Sequence, residues 1–183
     1  MPSREQAKFF IGHVPKFADL EPELSRVGDK FERGLIEHAT ITPPFEQKYD
    51  TETRQVIQRI CRFIAPFETK TIGAGLFGPN ENIVAQKIQI VPELLAFHSL
   101  CIAAFKHQHP KAELDLGWAL ENYRPHITFR QIDSSGLIGR VDNLPIKIDG
   151  VTVFEKSGSA PYEIVDEMRF EGKMYEIGEK VGE

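Results

Sequence analysis

The chain has 183 residues, of which 41% are hydrophobic, enough for one substantial core or two small lobes. The formal net charge of −5 argues against a broad grip on duplex nucleic acid, which requires a basic face, but is compatible with a small site for one terminal phosphate. No stretch has the length of a membrane span, and the N-terminal MPSREQAKFF lacks the apolar run of a signal peptide, so we expect a cytoplasmic protein. Cys61 and Cys101 lie on the apolar stripes of predicted helices and are expected to be reduced core residues.

The first third of the chain alternates predicted strands and helices. Residues 8–14, KFFIGHV, alternate as a strand does, and an apolar stripe over about 20–33 predicts a helix. A second strand contains HATIT and ends at a Pro-Pro pair, because proline has no amide hydrogen for the ladder. Asp50 is a good N-cap for a second helix over about 51–65.

The remainder is richer in strands. The segments TIGAGLF and NIVAQKIQIV, separated by GPNE, predict a β-hairpin, and a strongly apolar helix begins at Pro92 and stops at the next proline. A strand over 125–132 precedes LPIKIDGVTVFEK and YEIVDEMRFEG, which predict a closing hairpin with Gly150 as a bulge. The tail after Phe170 is expected to fray. Because strands outnumber helices and hairpins imply antiparallel pairing, we predict one α+β domain over residues 1–183.

The pattern His-x-Thr occurs twice on predicted strands, in HATITPPF and in RPHITF. On an extended strand, His38 points to the same face as Thr40, and His126 to the same face as Thr128 and Arg130. Two such faces brought together make a two-histidine cleft. That cleft suits an in-line displacement at phosphorus, in which one imidazole takes a proton from the attacking oxygen and the other gives one to the leaving oxygen.

The chemistry needs neither a metal nor a cofactor. Unperturbed imidazoles titrate near pH ~6.5, so at neutral pH one histidine can act as base and the other as acid; the sequence leaves open which is which. The threonine hydroxyls can hold the non-bridging phosphate oxygens by hydrogen bonds. Thr42, further along the first motif strand and next to the prolines, fits a structural role better.

The paired motifs, the opening FFIGHVP strand and PHITF followed by a closing hairpin resemble the two-histidine phosphoesterase superfamily, which includes 2′-5′ RNA ligase-like proteins and RNA 2′,3′-cyclic phosphodiesterases. The resemblance implies a bilobal fold with two antiparallel sheets related by a pseudo-twofold axis, helices on the outer faces and a central active-site cleft. It implies that His38 and His126 are catalytic and that Thr40 and Thr128 bind phosphate. Some members carry a basic residue just after the second motif, which makes Arg130 a further phosphate-binding candidate.

The function implied is hydrolysis of a 2′,3′-cyclic phosphate, on an RNA end or a nucleotide, by a monomeric enzyme. Phe45 and Tyr123 flank the motifs and are candidates for stacking on a base. Ligation of RNA through a 2′-5′ linkage is the first alternative, but the acidic chain shows no extended basic track to hold a second RNA end. The second alternative is a protein that binds a nucleotide or RNA end without turnover.

Overall fold

Strands dominate the described part of the chain. The computed structural model describes residues 7–15, 38–77, 83–110, 122–128 and 142–173. The strands are β1 (Ala7–His13), β2 (Ala39–Thr40), β3 (Phe67–Phe77), β4 (Ile83–Ile88), β5 (His126–Thr128), β6 (Pro145–Ile148), β7 (Gly150–Ser157) and β8 (Glu163–Arg169). The helices are α1 (Thr51–Phe63) and α2 (Pro92–Gln108).

Both helices begin where the sequence predicts. The Asp50 carboxylate accepts the Thr53 amide hydrogen over 2.8 Å, which satisfies one of the unpaired donors at the start of α1. Pro92 opens α2, where its missing amide hydrogen has no cost. Neither α1 nor α2, the helices within the described ranges, is long and apolar enough to cross a membrane. The helix predicted over about 20–33 lies outside the described residues.

The eight strands form one antiparallel sheet in the order β6-β3-β4-β5-β2-β1-β7-β8. The two short motif strands, β2 and β5, are hydrogen-bonded neighbours at its centre, where Ala39 pairs with Ile127. An antiparallel sheet with separate helices agrees with the predicted α+β class. The expected division into two sheets is not confirmed, because the pairing of β2 with β5 joins the two sets of four strands.

One face of the sheet packs against both helices and forms the hydrophobic core. Members of this core from the helices and from alternate strand positions include Phe9, Ile11, Ala39, Ile57, Cys61, Phe97, Cys101, Phe105, Ile127 and Val153. Cys61 and Cys101 are buried free thiols, and burial raises the pKa of both. Their predicted role as reduced core residues is confirmed.

The predicted closing hairpin is correct only in its second part. β7 pairs with β8 as predicted, but β6 pairs with β3 at the opposite end of the strand order, although Asp149 alone separates β6 from β7. Because β6 and β7 are one residue apart in the chain but lie towards opposite ends of the strand order, the sheet must be strongly curled. Gly150 marks this crossing and is not a bulge: it pairs in register with Arg169, and the register shift lies at Val153 and Phe154.

The segment after β8 is tied to the end of α1. The amide hydrogens of Glu171, Gly172 and Lys173 bond to the carbonyl oxygens of Cys61, Ile64 and Arg62 over 3.1, 3.0 and 2.8 Å. These bonds use carbonyl groups that a helix end otherwise leaves without partners. The predicted fraying is therefore wrong for residues 171–173, and residues 174–183 lie outside the described part.

Candidate active site

The register of β2 against β5 sets the faces of both motifs. Ala39 and Ile127 are paired, and both are buried on the helix side of the sheet, with 2% and 0% of their surface exposed. Because side chains alternate along a strand, His38, Thr40 and His126 lie on the opposite side, which we call the motif face. All three are half-buried. The sequence-based expectation that the motif residues share a face is met by these three side chains.

The same register arranges the motifs diagonally. One position to either side of the Ala39 pair, the backbone of His38 lies beside that of Thr128, and Thr40 lies beside His126. Diagonal neighbours in an antiparallel pair are about 7–8 Å apart. The two histidines therefore flank a strip of the motif face that contains Thr40, and this general spacing is comparable with the size of a phosphate group.

His38 is packed by aromatic rings of its own flank of the sheet. Its ring centroid lies 4.9 Å from that of Phe10 and 4.7 Å from that of Phe154. The ring passes over Gly12, where an added Cβ would lie 3.5 Å from His38 Cδ2, 3.1 Å from the Phe154 ring and 2.9 Å from the Ala39 carbonyl oxygen. The missing side chain at Gly12 thus makes room for the imidazole.

His126 is packed in the same manner towards the other flank. Its ring stacks on Phe77 of β3 with a centroid distance of 4.0 Å. On β4, the strand between them, Ala85 is paired with Gly75 of β3. The His126 Nδ1 atom donates to the Arg124 carbonyl oxygen over 2.7 Å, which leaves Nε2 as the acceptor of the neutral ring. Burial lowers the pKa of His126, and the bond to the Arg124 carbonyl offsets only part of this effect.

Each histidine therefore contacts a phenylalanine two strands away across a small residue, and the two rings lean towards opposite flanks. Sequence reasoning missed Phe154 and Phe77, because they approach the motifs only through long-range strand pairing. Phe10 and Gly12 carried a weak signal, since both lie on the motif face of the first predicted strand.

A third histidine, His98 on α2, supports both motifs from the core side. It is fully buried, and its Nδ1 atom donates over 2.7 Å to the carbonyl oxygen of Ile41, the residue after Thr40. Its ring also stacks on Tyr123, three residues before His126, with a centroid distance of 3.9 Å. Burial lowers the pKa of His98, which favours the neutral form.

The aromatic residues predicted to stack on a base are part of the core. Tyr123 is 6% exposed beneath His98, and Phe45 is 1% exposed between Phe9 and Phe105. Neither ring offers a face to a nucleotide, so the stacking prediction does not fit these positions. The physical reason is that flanking a motif in sequence does not place a side chain on the motif face.

Of the three remaining predicted positions, Thr42 has a described side chain. Thr42 is buried, and its hydroxyl oxygen accepts the Ile11 amide hydrogen over 2.9 Å, so it has the structural role expected of it. Arg130 lies outside the described residues, and Thr128 is described through its backbone pairing with Ala85. Among the described residues, no group of three or more histidine, cysteine or acidic side chains could hold a metal ion.

Comparison with known proteins identifies the family of the chain. A family model described as the 2′-5′ RNA ligase superfamily matches residues 23–136, more than half of the chain. The chain belongs to the 2′-5′ RNA ligase superfamily. The resemblance to two-histidine phosphoesterases seen in the motifs is thereby confirmed. No curated protein matches the chain by sequence.

Two solved proteins have a similar fold over nearly the whole of this chain. TT0787 of Thermus thermophilus is 17% identical, with a TM-score of 0.61, and the match covers 91% of this chain and 100% of that one. Escherichia coli LigT complexed with NADP+ is 14% identical, with a TM-score of 0.57 and coverage of 91% and 99%. LigT complexed with 3′-AMP is 12% identical, with a TM-score of 0.52 and the same coverage of 91% and 99%. At these identities the likeness concerns the fold alone.

Proposed function

We propose that the protein is a metal-independent phosphoesterase that hydrolyses a 2′,3′-cyclic phosphate, on an RNA end or a nucleotide, to a phosphomonoester. The observation that carries this proposal is the diagonal placement of His38 and His126 on one face of two adjacent central strands. Superfamily membership supports the reaction class. The complexes of E. coli LigT with NADP+ and with 3′-AMP support a nucleotide as the ligand.

His126 is the better candidate for the base. Its Nδ1 hydrogen is engaged with the Arg124 carbonyl oxygen, and its lowered pKa keeps the ring neutral near pH 7. Nε2 then takes a proton from water as the water oxygen bonds to phosphorus. His38 gives a proton to the ribose oxygen whose bond to phosphorus breaks, and exchange with solvent restores both imidazoles.

Thr40 and Thr128 are proposed to hold the non-bridging oxygens, which gain negative charge in the transition state. Thr40 supports this role by lying half-buried beside His126 on the motif face. For Thr128 and Arg130 the support is the spacing of the second motif, since each successive second residue of a strand returns to the same face.

We extend this proposal to the symmetry of the domain. Four strands lie on each side of the β2–β5 boundary, and each side packs a phenylalanine, Phe154 or Phe77, onto one histidine. These repeated features support two lobes related by a pseudo-twofold axis within one domain.

Formation of a 2′-5′ linkage is the second candidate, and the description of the family model favours it. It uses the same two histidines in reverse, with a ribose hydroxyl in place of water. Water prevails unless the second RNA end is held, and the net charge of −5 does not favour an extended RNA track. Joined product in excess of hydrolysed product, in an assay with two RNA ends, would reverse this order.

The deciding experiment measures hydrolysis of an oligoribonucleotide with a 2′,3′-cyclic phosphate end, in the presence of a chelator. We expect turnover by the wild type and losses on the order of 10²–10⁴-fold in His38→Ala and in His126→Ala, because each removes one proton transfer. His107→Ala, at an exposed position of α2, is the matched control and should be unaffected. Tight binding of the RNA end without product would instead indicate a binding protein.

A further inference from the structure

Lys87 on β4 is the next residue across the sheet from His126. The two are paired in the β4–β5 register, so they lie side by side on the motif face. Thr40, His126 and Lys87 thus follow one another across β2, β5 and β4. The Lys87 side chain is exposed.

The side chain of Lys87 lies against Gly75, next to the Phe77 ring that also packs on His126. An added Cβ at Gly75 would lie 3.3 Å from Lys87 Cδ, 3.4 Å from Lys87 Cγ and 3.0 Å from the Phe77 ring. The absence of a side chain at Gly75 therefore lets the lysine stem lie against the sheet, next to the ring on which His126 stacks. Lys87 therefore lies beside His126, at the edge of the strip between the two histidines.

Lys87 forms no ion pair with another described residue. The ion pairs between described residues join Lys8 to Glu46, Arg54 to Asp166 and Lys173 to Glu171. On the motif face Lys87 adjoins Gly75, Phe77 and His126, none of which is acidic. The Asp142 carboxylate, beside the adjacent Gln86, accepts hydrogen bonds from the Gly73 amide and from Gln86 Nε2 and is not in an ion pair with Lys87. An ammonium group with no acidic partner among these residues, in a chain of net charge −5, provides local attraction for an anion.

We infer that Lys87 binds the phosphate held between His38 and His126. The inference rests on the function proposed above and adds a cation that the motif pattern does not contain. A lysine ammonium is a compact charge with three donors, suited to a phosphate oxygen, and its attraction increases as negative charge develops on the non-bridging oxygens. Lys87 is therefore a substrate-binding residue whose contribution is larger in the transition state.

The test compares Lys87→Met, which keeps the apolar stem and removes the charge, with Lys87→Arg and with Lys106→Met. Lys106 is an exposed lysine on α2, on the other side of the sheet, so its substitution changes the net charge equally. With the cyclic-phosphate oligoribonucleotide as substrate, we expect kcat/KM to fall about 10- to 100-fold in Lys87→Met, as for loss of a hydrogen bond to a charged group. Lys87→Arg should recover part of this loss, and Lys106→Met should match the wild type.

Salt provides a readout that a purely structural role would not change. Loss of the Lys87 charge should weaken the dependence of kcat/KM on ionic strength, because one attractive charge no longer acts on the substrate. If the wild type turns over and Lys87→Met equals Lys106→Met, the inference is overturned while the proposed function stands.

Binding of 3′-AMP separates the other outcomes. If the wild type does not hydrolyse the RNA, the proposed function fails, and titration calorimetry with 3′-AMP still tests Lys87. At least tenfold weaker binding by Lys87→Met than by Lys106→Met would support it. Equal binding by the two variants, or no binding by the wild type, would overturn the inference. Matching thermal unfolding of the variants would show that lost binding is not lost folding.

Discussion

At the scale of single residues, environment distinguishes histidines that the sequence presents alike. His98 and His126 both donate from Nδ1 to a backbone carbonyl, and burial lowers the pKa of both. His98 is enclosed in the core, whereas His126 is half-buried on the motif face. The same hydrogen bond therefore holds a strand in one case and orients a candidate base in the other.

The Phe77 ring is expected to control the protonation and orientation of His126. In Phe77→Leu the imidazole loses its stacked face, water reaches the ring, and its pKa should rise toward the ordinary value of 6.5. The acidic limb of the pH–rate profile should move upward with it, and kcat/KM should fall by about tenfold because the ring is less well oriented.

An NMR titration of the His126 ring protons measures this change directly. Phe63→Leu is the control, because Phe63 is 46% exposed on α1. An unchanged pKa of His126 in Phe77→Leu would mean that the ring does not control the solvation of the imidazole.

At the scale of elements, the crossing from β6 to β7 determines how the sheet curls. Asp149 alone joins strands at opposite flanks, and the Phe170 amide hydrogen bonds to its carbonyl oxygen over 2.9 Å. Near the crossing, Phe67 of β3 stacks on Phe170 with a centroid distance of 5.9 Å. The two ends of the strand order therefore meet beneath the helices, and the motif strands remain central.

Gly150 is the residue at which this crossing is most sensitive to substitution. A Cβ there would lie 2.3 Å from the Met168 carbonyl oxygen, so Gly150→Ala must separate β7 from β8. We expect the free energy of unfolding, measured by urea denaturation, to fall by about 3 kcal/mol. Gly73→Ala is the comparison, because its Cβ meets nothing within 4 Å and only the positive φ of 60° opposes it, at a cost of about 1 kcal/mol. Equal losses in the two variants would contradict this account.

At the scale of the whole molecule, the fully buried His98 and the half-buried His126 link folding to pH. His98 and His126 bind protons less readily in the folded protein than in the unfolded chain, whose histidines titrate near 6.5. Protons therefore bind preferentially to the unfolded state once the pH falls below that value. The stabilisation is complete above pH 6.5 and is lost as the pH falls toward the folded pKa values.

The free energy of unfolding should accordingly decrease as the pH falls from 7 to 5. His98→Gln retains a donor for the Ile41 carbonyl oxygen but does not titrate, so its stability should depend less on pH in this range. Urea denaturation at a series of pH values measures both slopes. Asp50, whose pKa is lowered by its bond to the Thr53 amide, acts only at more acidic pH, since its ordinary value is 3.8. Equal slopes for the wild type and His98→Gln would contradict a role for His98 in this linkage.

Local patterns were sufficient for the elements and for the shared faces of the motif residues. Asp50 and Pro92 mark the starts of α1 and α2 through interactions within a few residues, and β3 ends at Phe77 as predicted. The shared face of His38 and Thr40 follows likewise from the two-residue repeat of any extended strand. By itself the sequence therefore determined α1, α2 and most of the described strands, and it supplied the motif pattern on which the proposed chemistry rests.

Tertiary structure alone decided which strands are neighbours and what surrounds the imidazoles. The pairing of Ala39 with Ile127, the stacking of Phe77 on His126 and the position of Lys87 beside it all join residues distant along the chain. The burial of Tyr123 under His98 is another contact between residues distant along the chain. Periodicity shows which residues share a face of one element, but contacts between elements depend on register and packing, which no local pattern contains.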